Sequence, residues 1–187
     1  GAVKSYFPSA YPCCAGTITQ AAPDYHDIIY FKGAEDLYVN LYIPSEVSWN
    51  HKGQQVLVKQ ETTYPESEVI HLSINPSSAL AFNLKFRVPE WCQDASAEIN
   101  GSRQRIACQP SEWATIHRTW HRGDKVTIHI PSTLRMVPID QQHPHRVAFV
   151  KGPVVLVRRH GTMIAPLDTT ADQSRWTQTA TQSLEYA

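Results

Sequence analysis

No stretch of about 18 apolar residues occurs in this chain, so no segment is long and apolar enough to cross a membrane as a helix. An excess of charge is missing too. Seventeen lysines and arginines balance seventeen aspartates and glutamates, for a formal net charge of zero. A nucleic-acid binder would carry a basic patch or stripe, so nucleic acid is not an expected partner. Cysteine is scarce: Cys13, Cys14, Cys92 and Cys108 are too few and too unevenly spaced for a disulfide scaffold. The N-terminus lacks the charged segment and apolar core of a signal peptide. There is no glycine-rich phosphate loop, no serine-centred nucleophile elbow and no dinucleotide fingerprint.

What is present reads mainly as β structure. The chain has 187 residues, 42% hydrophobic and 10% aromatic, enough for one domain with a substantial core and some extras. "LYVNLYIP" (Leu37–Pro44) alternates strictly, with Leu37, Val39, Leu41 and Ile43 on one face and Tyr38, Asn40 and Tyr42 on the other, the mark of a half-buried strand. "QVLVKQET" (Gln55–Thr62), "EVIHLSI" (Glu68–Ile74), "LAFNLKFRVP" (Leu80–Pro89) and "ASAEIN" (Ala95–Asn100) behave alike. Asn100-Gly101 predicts a tight turn before "RQRIAC". "WATIHR", a turn at Arg122-Gly123-Asp124, "KVTIHIP", "LRMVPI", "RVAFVKG" and "PVVLVRR" complete ten or more short strands at the turn spacing of a sandwich or barrel. One short helix is expected within Gly16–Tyr30, with Pro23 in its first turn and its start near Ala21. After Leu167 the chain becomes polar and rich in Thr and Gln, which reads as a tail or the start of a further segment.

The chemistry-bearing feature is "YPCCAGT". Adjacent cysteines suit a mutual disulfide poorly, because a bridge wants Cα atoms ~4.4–6.8 Å apart and neighbours sit at ~3.8 Å. Two thiolates are soft zinc donors, and a thiolate whose pKa is lowered is a nucleophile. On the pair alone, idle reduced thiols explain Cys13 and Cys14 more simply. A tetrahedral zinc needs two further ligands. Glu90-x-Cys92 would share a face if it lay on a strand, but it ends a core strand and Trp91 looks like packing. Cys108 reads as a small core residue, "HPH" (His143, His145) as a solvated loop, and His26 as the best placed of nine scattered histidines. Trp49, Trp91, Trp113 and Trp120 suit the core more readily than a sugar-stacking platform.

Several stretches occur in one order: "CCAGT", "DYHDIIYF", "DLYVNLYIPSEVSW", "VLVKQETTYPE", "LAFNLKFRVPEW", "EING", "TWHRGDKVTIHIP" and "VAFVKGPVVL". Together, over Tyr11 to Val157, they resemble the C-terminal part of the glycoside hydrolase family 127 group, the β-L-arabinofuranosidase-like enzymes. The run "AGTITQ" after the cysteines departs from the asparagine and arginine common there in the family.

The resemblance implies an antiparallel, jelly-roll-like β-sandwich over residues 31–165, preceded by the end of an (α/α) barrel in residues 1–30 and followed by the polar segment 166–187. It implies a retaining exo-glycosidase with a zinc-bound thiolate in place of the second carboxylate. Cys13 would be nucleophile and zinc ligand, and Cys14 a zinc ligand. The remaining ligands, a glutamate and a cysteine spaced Glu-x-Cys, and the acid/base glutamate would lie in an upstream barrel domain, the chain's expected partner. Glu90-x-Cys92 does not replace them, since it falls in the family's sandwich. The expected substrate is a plant-type oligosaccharide or glycoside, and the expected setting a soluble protein of a bacterial cytoplasm or periplasm. A chain holding only the thiol half of the site is expected to be inert alone and to hold zinc weakly or not at all. Two rival readings are a non-catalytic sandwich that binds carbohydrate or packs against a partner domain, and a free-standing metal-binding β-protein using Cys13, Cys14 and histidines.

Overall fold

The computed structural model describes residues 21, 23–104, 106–143 and 146–157. Its backbone is mainly β, with one short helical turn at 23–27 that contains Pro23. Residues 16–20 and 22 of the expected helix lie outside the described residues. Bonds from the Ile28 and Ile29 N–H groups to the Tyr25 and His26 carbonyls end the helical segment, and Ile29 drops into the core.

Two sheets face each other. One has the order β1-β2-β6-β9: β1 (Tyr30–Lys32), β2 (Asp36–Val39), β6 (Leu80–Arg87) and β9 (Trp113–Trp120). The other has the order β3-β4-β5-β10-β7-β8: β3 (Ser45–His51), β4 (Gln54–Glu61), β5 (Val69–Pro76), β10 (Asp124–His129), β7 (Ser96–Ile99) and β8 (Ser102–Gln104). The alternation read from the sequence decides which side each residue takes. In β6, Leu80, Phe82, Leu84 and Phe86 point inward, and Ala81, Asn83, Lys85 and Arg87 outward. Inward residues of both sheets form one core, with Trp120, Phe82 and Phe86 as its largest fully buried side chains and Trp49 beside them. Phe82 lies at its centre, edge-on to Trp49 at 5.2 Å and tilted over Trp120 at 5.6 Å. The Trp120 indole N–H donates to the Phe82 carbonyl at 3.1 Å. A third sheet has the order β11 (Leu134–Pro138), β12 (Val147–Lys151) and β13 (Val154–Leu156). Two compact units divide the described residues near this sheet, one running to Leu134 with Lys151–Val154 and the other holding Arg135–Val150 and residues 155–157.

The structure departs from the sequence expectation at four places. Pairing is antiparallel in the two facing sheets except between β2 and β6, which run parallel with Asp36 opposite Asn83. The strand expected over Leu37–Pro44 stops at Val39. There the Asn40 and Leu41 N–H groups turn to the Ile29 carbonyl, and the Asn40 side chain donates to the Ile28 carbonyl at 2.8 Å. The alternation then inverts: Tyr42 is buried against Tyr64, and Ile43 is exposed. Beyond Pro44 the chain forms β3, where Val47, Trp49 and His51 alternate with the exposed Glu46, Ser48 and Asn50. "RQRIAC" is strand through Gln104 and not from Ile106 to Cys108, with Arg105 outside the described residues.

The Asn100-Gly101 turn is as expected. Both residues have positive φ, 52° and 79°, and Ile99 pairs with Ser102, which makes a two-residue hairpin.

Candidate functional site

Cys13 and Cys14 lie outside the described residues. The other two cysteines do not suit metal or nucleophilic chemistry. Burial pushes the thiol of Cys92 up, and that of Cys108 likewise, so both stay protonated near neutral pH. Glu90 and Cys92 sit on a turn closed by the Cys92 N–H on the Pro89 carbonyl, with Glu90 exposed and Cys92 fully buried. They do not face a common point. Among the described residues no three His, Cys, Asp or Glu side chains form a metal-sized group. His26 is exposed, and its ring meets Asp27 at 3.5 Å. His143 caps its own loop: Asp140 Oδ1 accepts from the backbone N–H groups of Gln142 and His143 and pairs with His143 Nδ1 at 2.8 Å. His145 lies outside the described residues.

Of the tryptophans, Trp49 and Trp120 are core and Trp91 is half-buried. Trp113 is different. It is 38% exposed at the start of β9, on the outer face of its sheet. That face holds a built set of side chains. The register places Asp36 of β2, Asn83 of β6 and His117 of β9 in one row. Asn83 Nδ2 donates to Asp36 Oδ1 at 2.7 Å, and Asn83 Oδ1 faces His117 Nδ1 at 2.5 Å. A carboxylate only accepts, so the Asn83 amide has one orientation, and Nδ1 of His117 must carry the proton. The Nε2 of a neutral His117 is then an acceptor held in a fixed direction.

The next row is Tyr38, Lys85 and Thr115. Lys85 Nζ lies 3.2 Å from Asp36 Oδ2 and 4.9 Å from the centre of the Tyr38 ring, and the Trp113 ring meets Tyr38 edge-on at 5.0 Å. The Asn83 amide, with help from Lys85 and Tyr38, holds the Asp36 carboxyl below its usual value. The bond to the Tyr38 hydroxyl, and then Asp36, raises the Lys85 ammonium. The two charges therefore neutralise each other within the face.

β9 is an edge strand, and a groove of about 480 Å³ runs along it at residues 115–119. Ile99, Gln104 and Ile106 line the opposite side. The Asp36–Asn83–His117 row was not visible in the sequence, although alternation puts each member on an outer face. What joins them is the parallel β2–β6 register, which no local pattern specifies. Arg122-Gly123-Asp124 forms the expected turn, with Gly123 at φ 87° and the Asp124 carboxylate turned inward to Asn100, the His121 N–H and Arg118.

The fold is similar to that of known proteins. The family described as beta-L-arabinofuranosidase, GH127 middle domain, matches residues 36–132, which contain both facing sheets from β2 to β10. A solved GH127 beta-L-arabinofuranosidase from Geobacillus stearothermophilus T6 superposes with a TM-score of 0.72 at 30% identity, over 80% of this chain and 24% of its own. A glycoside hydrolase superposes at 0.71 with 27% identity, over 79% of this chain and 25% of its own. A GH127 beta-arabinofuranosidase does so at 0.68 with 25% identity, over 80% and 26%. The chain thus spans about a quarter of the length of these structures. No curated protein sequence matches it. By the match over residues 36–132, the chain belongs to the family of the GH127 beta-L-arabinofuranosidase middle domain.

Proposed function

We propose that this chain serves as the β domain of a retaining exo-glycosidase, with Cys13 as the nucleophile and Cys13 and Cys14 as two of the zinc ligands in the complete enzyme. The observation that carries this reading is the family match over residues 36–132, joined to solved glycosidases about three times as long. Residues 1–30 would belong to a catalytic barrel and bring the cysteine pair to its end. Among the described cysteines, Cys92 and Cys108 offer no alternative nucleophile, because burial raises both thiols, and Glu90 is exposed where Cys92 is buried. The adjacent thiols of Cys13 and Cys14 are the right donor type for zinc, two short of a tetrahedral set. A bound zinc would keep the thiols deprotonated at neutral pH.

In this reading Cys13 Sγ forms a bond to the anomeric carbon as the glycosidic C–O bond breaks. The leaving oxygen takes its proton from a carboxylic acid on the barrel, and water later displaces the sulfur with that carboxylate as base. The substrate class is a glycoside of the arabinofuranoside type. Acid and nucleophile must flank one bond within a few ångströms, so the 187-residue chain by itself is inactive.

Assays on an aryl β-L-arabinofuranoside test this. The complete enzyme should turn over and Cys13→Ala should abolish turnover. Cys14→Ala should lower zinc content by elemental analysis. The 187-residue chain should show no turnover. A Cys13→Ala enzyme that keeps full activity, or robust turnover by the chain alone, overturns the reading and leaves a non-catalytic module in its place.

A further inference from the structure

We propose that the outer face of the β2-β6-β9 strands, from Trp113 to His117 and into the groove beside β9, binds a neutral sugar chain. The inference takes its ligand class partly from the glycosidase reading above, but its geometry stands on the described residues alone.

Three features of the face converge on a polyhydroxylated ligand. The first is aromatic: Trp113 is partly exposed and is held edge-on against Tyr38 at 5.0 Å, so its orientation is set before a ligand arrives. An aromatic ring offers an apolar surface to the C–H face of a sugar. The second is a directed acceptor. The Asp36–Asn83–His117 row fixes the His117 tautomer, and its Nε2 meets no partner among the described residues. A sugar hydroxyl is a donor that suits it. The third is the groove. Thr115 and Thr119 offer hydroxyls, the Gln104 amide lies across from them, and β9 is an edge strand whose outer N–H and C=O groups lack a neighbouring strand among the described residues. Trp113 and His117 are four residues apart on one face, about 13 Å at ~3.3 Å per residue, so a chain of rings spans them better than a single ring.

The same observations disfavour other ligands. An anion finds Lys85 already paired with Asp36, and Arg118 with Asp124. An apolar peptide finds a face whose central residues are Asp36, Asn83, Lys85 and His117. A groove of about 480 Å³ falls within the usual range for small-ligand sites.

The test is calorimetric titration of the full 187-residue chain with an L-arabinofuranosyl trisaccharide and with cellotriose. Saturable binding of either is the expected result. Trp113→Ala and His117→Ala should each weaken it about tenfold, the loss of roughly one good contact. Lys125→Ala, on the outer face of the other sheet, should leave it unchanged, with thermal melts verifying that each variant is folded. No saturable binding of either sugar at millimolar concentration overturns the proposal. So does binding that survives both the Trp113 and His117 substitutions. Failure of the glycosidase reading would appear in the Cys13→Ala assay and leave this titration untouched.

Discussion

Asn100 and Asp124 clasp two turns together. The Asn100 amide donates to Asp124 Oδ1 at 2.8 Å, while Asn100 Oδ1 accepts the Lys125 N–H at 2.8 Å. The Asp124 carboxylate also accepts the His121 N–H at 2.9 Å. Burial alone would raise this carboxyl, but the bonds from Asn100 and His121 and the charge of Arg118 outweigh it and hold the pKa below the ordinary value. A depressed folded-state pKa contributes stability above the unfolded value, and that contribution is lost as pH falls through the folded one. Asp124→Asn should therefore cost about 1–3 kcal/mol at neutral pH. The gap to the wild type, measured by urea unfolding, should narrow as pH drops below about 4. A gap that stays constant down to pH 2.5 would refute the assignment.

Gln60 is a buried polar residue in an otherwise apolar row. Its amide donates to the Leu41 carbonyl at 3.1 Å and to the Ile43 carbonyl at 2.7 Å, pinning the crossing from one sheet to the other. Gln60→Leu keeps the volume but leaves both carbonyls without that donor. The Ile43 carbonyl still accepts the Ser45 hydroxyl at 2.7 Å, so the unpaired group is the Leu41 carbonyl, and we expect a loss of about 1–3 kcal/mol. An unchanged urea midpoint would show that the crossing is held by other contacts.

Gly152 and Gly123 both have positive φ, 56° and 87°. A Cβ at Gly152 would lie 3.2 Å from Ser132 Cβ and 3.4 Å from the Trp91 ring, whereas at Gly123 it would meet nothing within 4 Å. Gly123→Ala should show the backbone penalty alone, about 1–2 kcal/mol. Gly152→Ala should lose more than Gly123→Ala in the same denaturation series. Equal losses would mean that Trp91 or Ser132 moves aside freely.

Trp120 fills the core and donates to the Phe82 carbonyl. Trp120→Ala should cost about 3–5 kcal/mol by the cavity it leaves. Trp120→Phe should cost distinctly less, because it keeps the ring stack on Phe82 and loses the N–H. Equal destabilisation of the two variants in thermal melts would contradict a role that is mainly packing.

Much of the fold was legible because most strands alternate strictly. "LAFNLKFR" shows its inner and outer faces directly, and Asn100-Gly101 names its hairpin. The ordered motifs also carried the family, which the match over 36–132 bears out. Legibility failed where tertiary contacts override local pattern. Leu41 and Tyr42 continue the alternation in sequence, but the Ile29 carbonyl and the Gln60 amide pull the backbone into a crossing that swaps inside for outside. The Glu90-x-Cys92 spacing suggested a shared face only on a strand, and the chain turns there instead. The row on the outer face was hidden for a further reason: its members are 34 and 47 residues apart.

That separation has an entropic side. β2 and β6 lie parallel, so the chain must leave Val39, lay down the β3-β4-β5 meander, and only then return to set Asn83 beside Asp36. Closing a contact over so long an intervening segment carries a larger loop-closure entropy than closing a local hairpin. The His117 ring is therefore aimed by two pairings of very different span, β6 with β9 and β2 with β6, and its orientation depends on both.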